Sequence, residues 1–411
     1  MEYPMTNDLK ILWYINPHDG PYPWHPEGRV AYDPHRIRDI AVAADRGGFY
    51  GALTVGKNPF IEISSFIPLT ETLRYLIPIY PGQYPPALLV QLAQSFDELS
   101  GGRLLFNQVN GTDLILPQYS IYVNSDDRYD LSAEYWTVFK KLYNGEIGGY
   151  DGKYFKFGPP PPPRGAREDV HLVQAPHTPV WGSGASPSGV RHAGKVLDTY
   201  LTYLHRPDRL GAQISAARAI ASQHGRTLPA GTLANVIVRE TEEEAWDYAR
   251  QILEKTGVDN IVNQIRSRLN LGRYNVTAGT REILTFESLQ SDDPAIQARI
   301  DKLRAGKLPS VRELESYPNI WSGPNGWGAL DILDQGWGGY LVGSAENVAA
   351  RIVELQEKLG IDAFILAGWP LRDEARRVSE LLLPLLKLDK TPPVLAPAKA
   401  PIEHSSFAKA S

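Results

Sequence analysis

Short apolar runs alternate with helix-patterned segments along most of this chain. Eight runs have the length and composition of buried strands, and they are 9–15, 51–55, 73–79, 102–109, 178–181, 199–204, 231–238 and 362–367. Strands that are buried on both faces and connected by helices form parallel sheets. About eight such units in a chain of 411 residues predict an α/β protein with a (β/α)₈ TIM barrel, and an open doubly wound sheet is the alternative.

The strand and helix pattern also predicts the domain organisation. We expect a single barrel domain over residues 1–388. Residues from about 260 to 318 are polar and rich in helix formers, without a strand run, and predict an inserted helical segment. Residues from about 319 to 343 are rich in glycine and tryptophan and predict a long mobile loop that acts as a lid. Pro, Ala and Lys dominate residues 389–411, which predicts a disordered tail.

The composition excludes several classes of function. The chain has no cysteine, which excludes disulfides, thiolate catalysis and cysteine-ligated metals. Its net charge of −5 does not favour a nucleic acid or an anionic membrane as partner. We find no secretory signal, no run of membrane-spanning length and no metal-ligand spacing, and therefore expect a cytoplasmic protein that acts on a small molecule without a metal.

The stretch 179–191 carries the most specific chemical signal. A short apolar strand enters a glycine-rich turn, and a helix begins at Ser186 with Pro187 in its first turn. The free N–H groups and the positive dipole end of such a helix can bind an anion. Pro187 stands where a dinucleotide fingerprint needs its third glycine, so a phosphate monoester such as that of FMN fits better than a pyrophosphate. An ordinary turn between strand and helix is the alternative.

Six segments then resemble a known family. Residues 12–18, 43–49, 99–107, 128–135, 236–241 and 364–370 resemble, in order, segments of the bacterial-luciferase-like flavin monooxygenases, and among them those of the alkanesulfonate monooxygenases. The resemblance covers roughly residues 9–388. It implies a TIM barrel with an inserted segment, reduced FMN (FMNH₂) delivered by an NAD(P)H:FMN reductase, O₂ as co-substrate, and a homo-oligomer, either a dimer or a tetramer.

The resemblance also implies positions for the cofactor. Ser186 and Tyr129 match residues that hold the FMN phosphate, and Gly184 and Ala185 belong to the same turn. Asn110 and Gly111 match a segment that passes close to the isoalloxazine ring.

Residues that follow predicted strands are the catalytic candidates. Asn110, Asn235 and His18 each lie just past a strand end, where a TIM barrel has its active site, and each can donate a hydrogen bond toward the reacting oxygen. If the substrate must lose a proton, His18 or Tyr203 is left to accept it, since an amide is not a base. A loop histidine without a catalytic role is the alternative for His18.

The chain departs from the sulfonate enzymes where they bind substrate. Their Arg-x-His sequence is replaced by 233–235, and the stretch 321–343 contains no lysine or arginine. Burying a sulfonate without cationic partners costs several kcal/mol. We therefore expect a neutral, flat or apolar substrate contacted by Trp327, Trp337 and Trp369. The alternatives are an alkanesulfonate or sulfone monooxygenase that releases sulfite or sulfinate, a monooxygenase that degrades a heterocycle or flavin ring, an F420-dependent oxidoreductase, and a non-catalytic flavin-binding protein.

Overall fold

Eight parallel strands form a closed ring in the computed structural model, which describes residues 8–112, 115–124, 127–146, 148–158, 172–270, 273–275, 280–282, 285–327, 329–334, 336 and 338–394. The strands are β1 (Lys10–Ile15), β2 (Gly51–Thr54), β3 (Arg74–Ile79), β4 (Leu104–Gln108), β5 (Val180–Ser183), β6 (Thr199–Tyr203), β7 (Ala230–Arg239) and β8 (Ile361–Ala367). Trp13 of β1 pairs with Ala52 of β2 on one side and with Leu366 of β8 on the other. This pairing closes the ring, so the predicted TIM barrel is confirmed and the open sheet is wrong.

Helices follow the barrel strands, and several of them begin at a residue whose side chain caps the first turn. They are α1 (Pro34–Arg46), α2 (Pro59–Ser64), α3 (Pro86–Ser100), α4 (Arg128–Tyr143), α5 (Pro187–Val196), α6 (Pro207–Gln223), α7 (Glu242–Thr256), α8 (Val258–Asn270), α9 (Pro294–Arg304), α10 (Ala345–Leu359) and α11 (Leu371–Leu381). Short 3-10 helices cover Pro26–Gly28, Ile67–Leu69, Leu116–Tyr119, Arg312–Leu314, Ala329–Leu333 and Leu383–Leu385. Pro lies in the first turn of α1 and α5 behind the N-caps Asp33 and Ser186, where its missing N–H costs nothing.

Strand β7 is longer than its neighbours and leaves the barrel. Its first half pairs with β6 and β8, but from Asn235 onward it pairs in parallel with Tyr340–Ser344. Ile320–Trp321 adds to that strand in the antiparallel direction and Glu315–Tyr317 pairs beyond it. The prediction of a loop over 319–343 is therefore wrong at both ends of that segment. These strands form only through pairing with β7, which local sequence does not reveal.

The inserted segment contains α8 and α9, which share a second apolar cluster with α7 and with the strands Ile320–Trp321 and Tyr340–Ser344; it includes Trp246, Ile261 and Ile300. The expectation that this region holds no strand is wrong, because Arg273–Asn275 pairs with Thr280–Glu282 and Glu315–Tyr317 joins the main sheet. A further short pair, Tyr150–Asp151 with Lys156–Phe157, follows α4.

Of the predicted tail, residues 389–394 are described and 395–411 lie outside the described residues. The Asp389 backbone N–H donates to the Leu9 carbonyl at 2.8 Å, and Arg74 donates to the Thr391 carbonyl at 2.8 Å. The first residues after 388 are thus attached to the N-terminal end of the barrel, opposite the end where the strands finish.

Candidate active site

The glycine-rich turn lies at the C-terminal end of β5. Ser186 caps α5, and its hydroxyl oxygen accepts a hydrogen bond from the Gly189 N–H at 3.1 Å. The first N–H groups of a helix have no partner inside the helix, and no acidic residue lies in the first turn of α5. Ser183, Ala185 and Ser186 are exposed. The turn therefore presents backbone donors and the positive end of a helix dipole to the outside of the barrel mouth.

Close contacts hold this turn in one conformation. A methyl group on Gly189 would lie 2.6 Å from the Tyr129 hydroxyl oxygen and 2.7 Å from the Gly184 Cα, so no side chain fits there. The Tyr129 and Ser186 hydroxyl oxygens are 3.5 Å apart, and the Tyr200 hydroxyl donates to the Gly184 carbonyl at 2.9 Å. The fold therefore brings Tyr129, from a distant part of the sequence, against the turn formed by Gly184, Ala185 and Ser186.

A chain of hydrogen bonds at the end of β4 leaves one buried donor without a partner. Gln108 donates its side-chain amide to the Asn110 Oδ1 at 3.1 Å, and the Ser132 hydroxyl donates to the same oxygen. Because Oδ1 accepts both bonds, the other terminal atom of Asn110 must be the NH₂ group. That nitrogen is buried and has no hydrogen-bond partner among the described residues. A buried unpaired donor is costly, and a ligand that offers an acceptor would satisfy it.

Histidine 192 supports this chain from α5. Its Nε2 lies 2.9 Å from the Gln108 Oε1, and burial lowers the pKa of His192 to about 4. The ring is therefore neutral at physiological pH and holds Gln108 without adding a charge. Gln108, Ser132 and His192 were missed by sequence reasoning, because the contacts join β4, α4 and α5.

Gly111 follows Asn110 in a left-handed conformation with φ of +67°. A methyl group there would lie 2.7 Å from the Leu116 Cδ2, so the position requires glycine. Arg128, at the start of α4, donates to the Gly111 carbonyl at 3.2 Å. The backbone beside Asn110 is therefore held from the same helix that carries Tyr129.

Aromatic side chains fill the other side of the barrel mouth. We call Tyr14, Tyr203, Trp327 and Trp369 the aromatic cap. The Trp327 ring centroid lies 5.6 Å from that of Tyr14 and 6.0 Å from that of Tyr203, and Tyr14 lies 6.1 Å from Trp369. Trp327 belongs to the segment that was predicted as a lid. The structure thus brings Trp327 and Trp369 together with Tyr203, while Trp337 lies outside the described residues.

Asn235 is fully buried and paired inside the protein. The Trp369 indole N–H donates to its Oδ1 at 3.2 Å, and its own amide donates to the Gly338 carbonyl at 3.4 Å. The prediction that Asn235 lies just past a strand end is wrong, because β7 continues to Arg239. Asn235 is instead the residue at which β7 leaves the barrel. Its observed contacts fix Trp369 and the segment that carries Trp327.

The two candidates for accepting a proton differ in their surroundings. Burial raises the pKa of Tyr203 to about 12, so its hydroxyl keeps its proton at neutral pH. His18 is exposed in the loop after β1, where its backbone N–H donates to the Asn16 side chain at 2.8 Å. His18 lies at the same end of the barrel as the cap but is not one of its members.

No group of three or more His, Cys, Asp or Glu side chains among the described residues could hold a metal ion. Within the same part of the chain, every helix is too short or too polar to cross a membrane.

Solved structures of other proteins share the fold of this chain. The riboflavin lyase RcaE, solved with modified FMN and riboflavin, superposes with a TM-score of 0.67 at 17% identity, over 94% of this chain and 95% of that chain. The long-chain alkane monooxygenase LadA gives 0.66 at 18% identity, over 92% and 91%. The F420-dependent tetrahydromethanopterin reductase from Methanopyrus kandleri gives 0.62 at 14% identity, over 93% and 100%.

At these identities the structural likeness shows the fold alone. The sequence comparison goes further, because the profile of the luciferase-like monooxygenases matches residues 10–363. That match covers strands β1 to β7 in full and the beginning of β8. This chain therefore belongs to the luciferase-like monooxygenase family.

Proposed function

We propose that this protein is the oxygenating component of a two-component monooxygenase that uses reduced FMN and O₂. The observation that carries the proposal is the pairing of an exposed helix N-terminus with a buried, unpartnered amide donor on the adjacent strand end. The first suits a phosphate group and the second suits an acceptor atom of a flavin ring. Reduced FMN supplies the two electrons that allow one oxygen atom to enter the substrate while the other leaves as water.

Each residue has a limited task in this proposal. Ser186, Tyr129 and the turn at Gly184 and Ala185 bind the phosphate, while Asn110 and the backbone of Gly111 orient the ring. The chain carries no dinucleotide fingerprint, so a separate NAD(P)H:FMN reductase provides the reduced flavin. His18 is the proposed proton acceptor, because the Tyr203 hydroxyl remains protonated and Asn235 is an amide.

The aromatic cap determines the proposed substrate. Its rings exclude water from the barrel mouth and offer flat apolar surfaces, and the stretch 321–343 adds no lysine or arginine. We therefore propose a substrate whose reacting part is a neutral ring or an apolar group. We also propose a homo-oligomer, by analogy with the family.

Two serine variants test the assignment of the phosphate site. Ser186→Ala should weaken FMN binding about tenfold, because it removes a phosphate contact and a helix cap together. Ser344→Ala is the matched control, since Ser344 caps α10 in the same way but lies away from the turn. Flavin fluorescence titration measures both. Equal FMN affinity in the two variants would remove the phosphate assignment, and tighter binding of F420 than of FMN by the wild type would favour an F420-dependent oxidoreductase.

The reaction itself is tested by oxygen uptake with an added FMN reductase. We expect uptake coupled to oxidation of neutral ring compounds or sulfones and little coupling with alkanesulfonates. Release of sulfite from simple alkanesulfonates at a comparable rate would contradict the substrate proposal while leaving the cofactor proposal intact.

A further inference from the structure

The hydrogen bonds that hold Asn110 have a direction. Gln108 donates its amide nitrogen to the Asn110 Oδ1 at 3.1 Å, and the His192 Nε2 lies 2.9 Å from the Gln108 Oε1. A side-chain amide accepts only at its oxygen and donates only at its nitrogen. If Gln108 were turned over, Asn110 would turn over too, and its oxygen would replace the NH₂ group as the atom without a partner. We call His192, Gln108 and Asn110 the hydrogen-bond chain.

The Asn110 end of the chain cannot fix this direction. The Ser132 hydroxyl donates to the Asn110 Oδ1. A hydroxyl group can donate or accept, so Ser132 can form a hydrogen bond with either end of the Asn110 amide. The two amides of the chain can likewise exchange oxygen and nitrogen by turning over together. The direction must therefore be fixed at the other end, by His192.

The His192 ring can fix the direction because it is buried and neutral. Burial lowers its pKa to about 4, although a hydrogen bond with the Tyr129 backbone opposes this shift. A neutral imidazole has one N–H donor and one bare nitrogen. With the proton on Nε2, the ring donates to the Gln108 Oε1, as the observed chain requires. With the proton on Nδ1, the bare Nε2 would accept from Gln108 and reverse the chain.

Two elements of the proposed FMN site restrict the His192 side chain. It lies on α5, whose N-terminal cap is Ser186, and its ring centroid lies 5.5 Å from that of Tyr129. The helix and the ring contact therefore limit how far the imidazole can move from Gln108 at the end of β4. His192 contacts the chain at one edge and a residue of the proposed phosphate site at its ring.

We propose that His192 is a positioning residue whose Nε2 proton keeps the Asn110 NH₂ group turned toward the flavin ring. The proposal rests on the proposed function and deepens it, because a fixed donor distinguishes the two redox forms of FMN. The reduced ring carries more negative charge than the oxidised ring, and hydrogen bonds to charged acceptors are stronger than those to neutral ones. The hydrogen-bond chain therefore favours reduced FMN.

Anaerobic titration with oxidised and with reduced FMN tests the role of His192. His192→Leu removes the donor and should weaken the binding of oxidised FMN about threefold and that of reduced FMN about tenfold. His192→Gln supplies an amide N–H in place of the Nε2 donor and should restore most of both affinities. A role in packing alone predicts the opposite order of the two variants, because leucine buries no unpaired amide.

A second variant breaks the same chain at another residue. Gln108→Met should reproduce the losses of His192→Leu, and the double variant should lose no more than either single variant, because both remove one chain. Additive losses would overturn the proposal. His177→Leu is the matched control, since His177 is partly buried, precedes β5 at the other end of the barrel and lies 2.9 Å from the Thr178 carbonyl oxygen. It should bind both forms of FMN as the wild type does.

The position of the proton can be measured in the protein without flavin. Nitrogen NMR of protein labelled at histidine distinguishes a protonated ring nitrogen from a bare one, and His192→Gln identifies the signals of His192. We expect the proton on Nε2. A proton on Nδ1 would overturn the proposal, because the chain would then run in the opposite direction.

The redox comparison also separates this proposal from the proposed function. Damage to the phosphate turn would weaken both forms of FMN equally, because the charge of the phosphate does not change on reduction. Failure of the wild type to bind either form would overturn the proposed function. Equal losses for the two forms in His192→Leu, or no loss, with native circular dichroism and FMN binding by the wild type, would overturn the role of His192 alone.

Discussion

On the β4 and β5 side of the barrel mouth, the Asn110 amide and the Ser186 helix tip offer hydrogen-bond donors to a ligand, whereas on the β6 to β8 side the Asn235 amide is paired inside the protein. The Asn110 amide has a free buried donor, and the Ser186 helix tip faces outward. Asn235, the corresponding amide on β7, accepts from Trp369 and donates to Gly338. One amide is thus kept for a ligand, and the other is used to position the wall of a pocket.

This difference indicates how the two sides are divided between cofactor and substrate. The first side contains a glycine turn and a helix start that the local sequence specifies, and its Asn110 amide is held by contacts from β4 and α4. The second side depends on contacts between distant segments, including α8, α11 and the strand Tyr340–Ser344. We therefore expect variants on the second side to alter stability and substrate binding, and variants on the first side to alter FMN binding.

The largest effect should come from the buried ion pair behind the cap. Arg239 donates twice to Glu374, at 2.9 and 3.1 Å, and its guanidinium stacks on Tyr248, whose hydroxyl donates to the Trp369 carbonyl. Burial raises the pKa of Glu374, so its carboxylate depends on this partner. Arg239→Met should lower the free energy of unfolding by about 3 kcal/mol, because it leaves the buried carboxylate with only the partly exposed Arg377, 3.6 Å away, as a cationic partner. Urea denaturation measures the loss.

A second variant tests that explanation. Arg239→Met combined with Glu374→Leu removes both charges and should recover most of the stability. Arg250→Met, at an exposed ion pair, should cost less than about 1 kcal/mol. If Arg239→Met lowers the free energy of unfolding no more than Arg250→Met does, the stability of the cap does not depend on Arg239.

The next effect concerns the cofactor side. Gly189→Ala forces a methyl group against the Tyr129 hydroxyl and the Gly184 backbone, so the turn must open. FMN affinity should fall roughly 30-fold, equivalent to about 2 kcal/mol. Gly211→Ala in α6 is the control, because a methyl group there meets only the Leu359 side chain, at 3.1 Å. Wild-type FMN affinity in Gly189→Ala would mean that this turn does not bind the phosphate.

The barrel strands and the helix start at the glycine turn could be predicted from the sequence, because each depends on a pattern of neighbouring residues. Each barrel strand is a short apolar run, and Ser186 with Pro187 is a helix start that needs no distant contact. Ser186 and Tyr129 were placed at one site through the family resemblance, and their hydroxyl groups do lie together.

The β6 to β8 side of the mouth could not be predicted, because its residues acquire their surroundings through long-range pairing. The strand Tyr340–Ser344 exists only because β7 continues past Asn235. Arg268 lies in a helix that sequence analysis treated as an insertion, and its proximity to Trp327 requires the three-dimensional fold. On the cofactor side, the network of Gln108, Ser132 and His192 could not be predicted either, because it joins three elements that are distant in the chain.

A smaller effect should distinguish two buried tryptophans on the cap side. Trp369→Phe removes the indole N–H that serves Asn235 and should cost about 1–1.5 kcal/mol beyond the loss of volume. Trp321→Phe is the control, because the Trp321 indole N–H is buried and has no partner among the described residues. Thermal unfolding should therefore show the larger loss for Trp369→Phe, and FMN affinity should stay the same in both. Equal losses would mean that the bond to Asn235 contributes nothing.

The smallest effect concerns the charge that attaches the segment before Tyr340 to the barrel. His205 accepts the Arg206 N–H at its Nδ1, so its Nε2 carries the proton and donates to Asp334 at 3.0 Å. Burial alone would raise the pKa of Asp334, but the hydrogen bond from His205 and the nearby charge of Arg209 lower it overall. Asp334→Asn isolates that charge, because asparagine tolerates the left-handed backbone, φ +57°, of this position.

The sign of the pH dependence follows from the lowered pKa. The ionised form of Asp334 is favoured in the folded protein, so its stabilisation is complete above the ordinary pKa of about 4 and is lost as the pH falls below it. Asp334→Asn should cost about 1 kcal/mol at pH 7 and progressively less toward pH 3.5. Urea denaturation of both proteins across this range measures the difference. A difference that does not change with pH would mean that shape, rather than charge, holds the cap segment against the barrel.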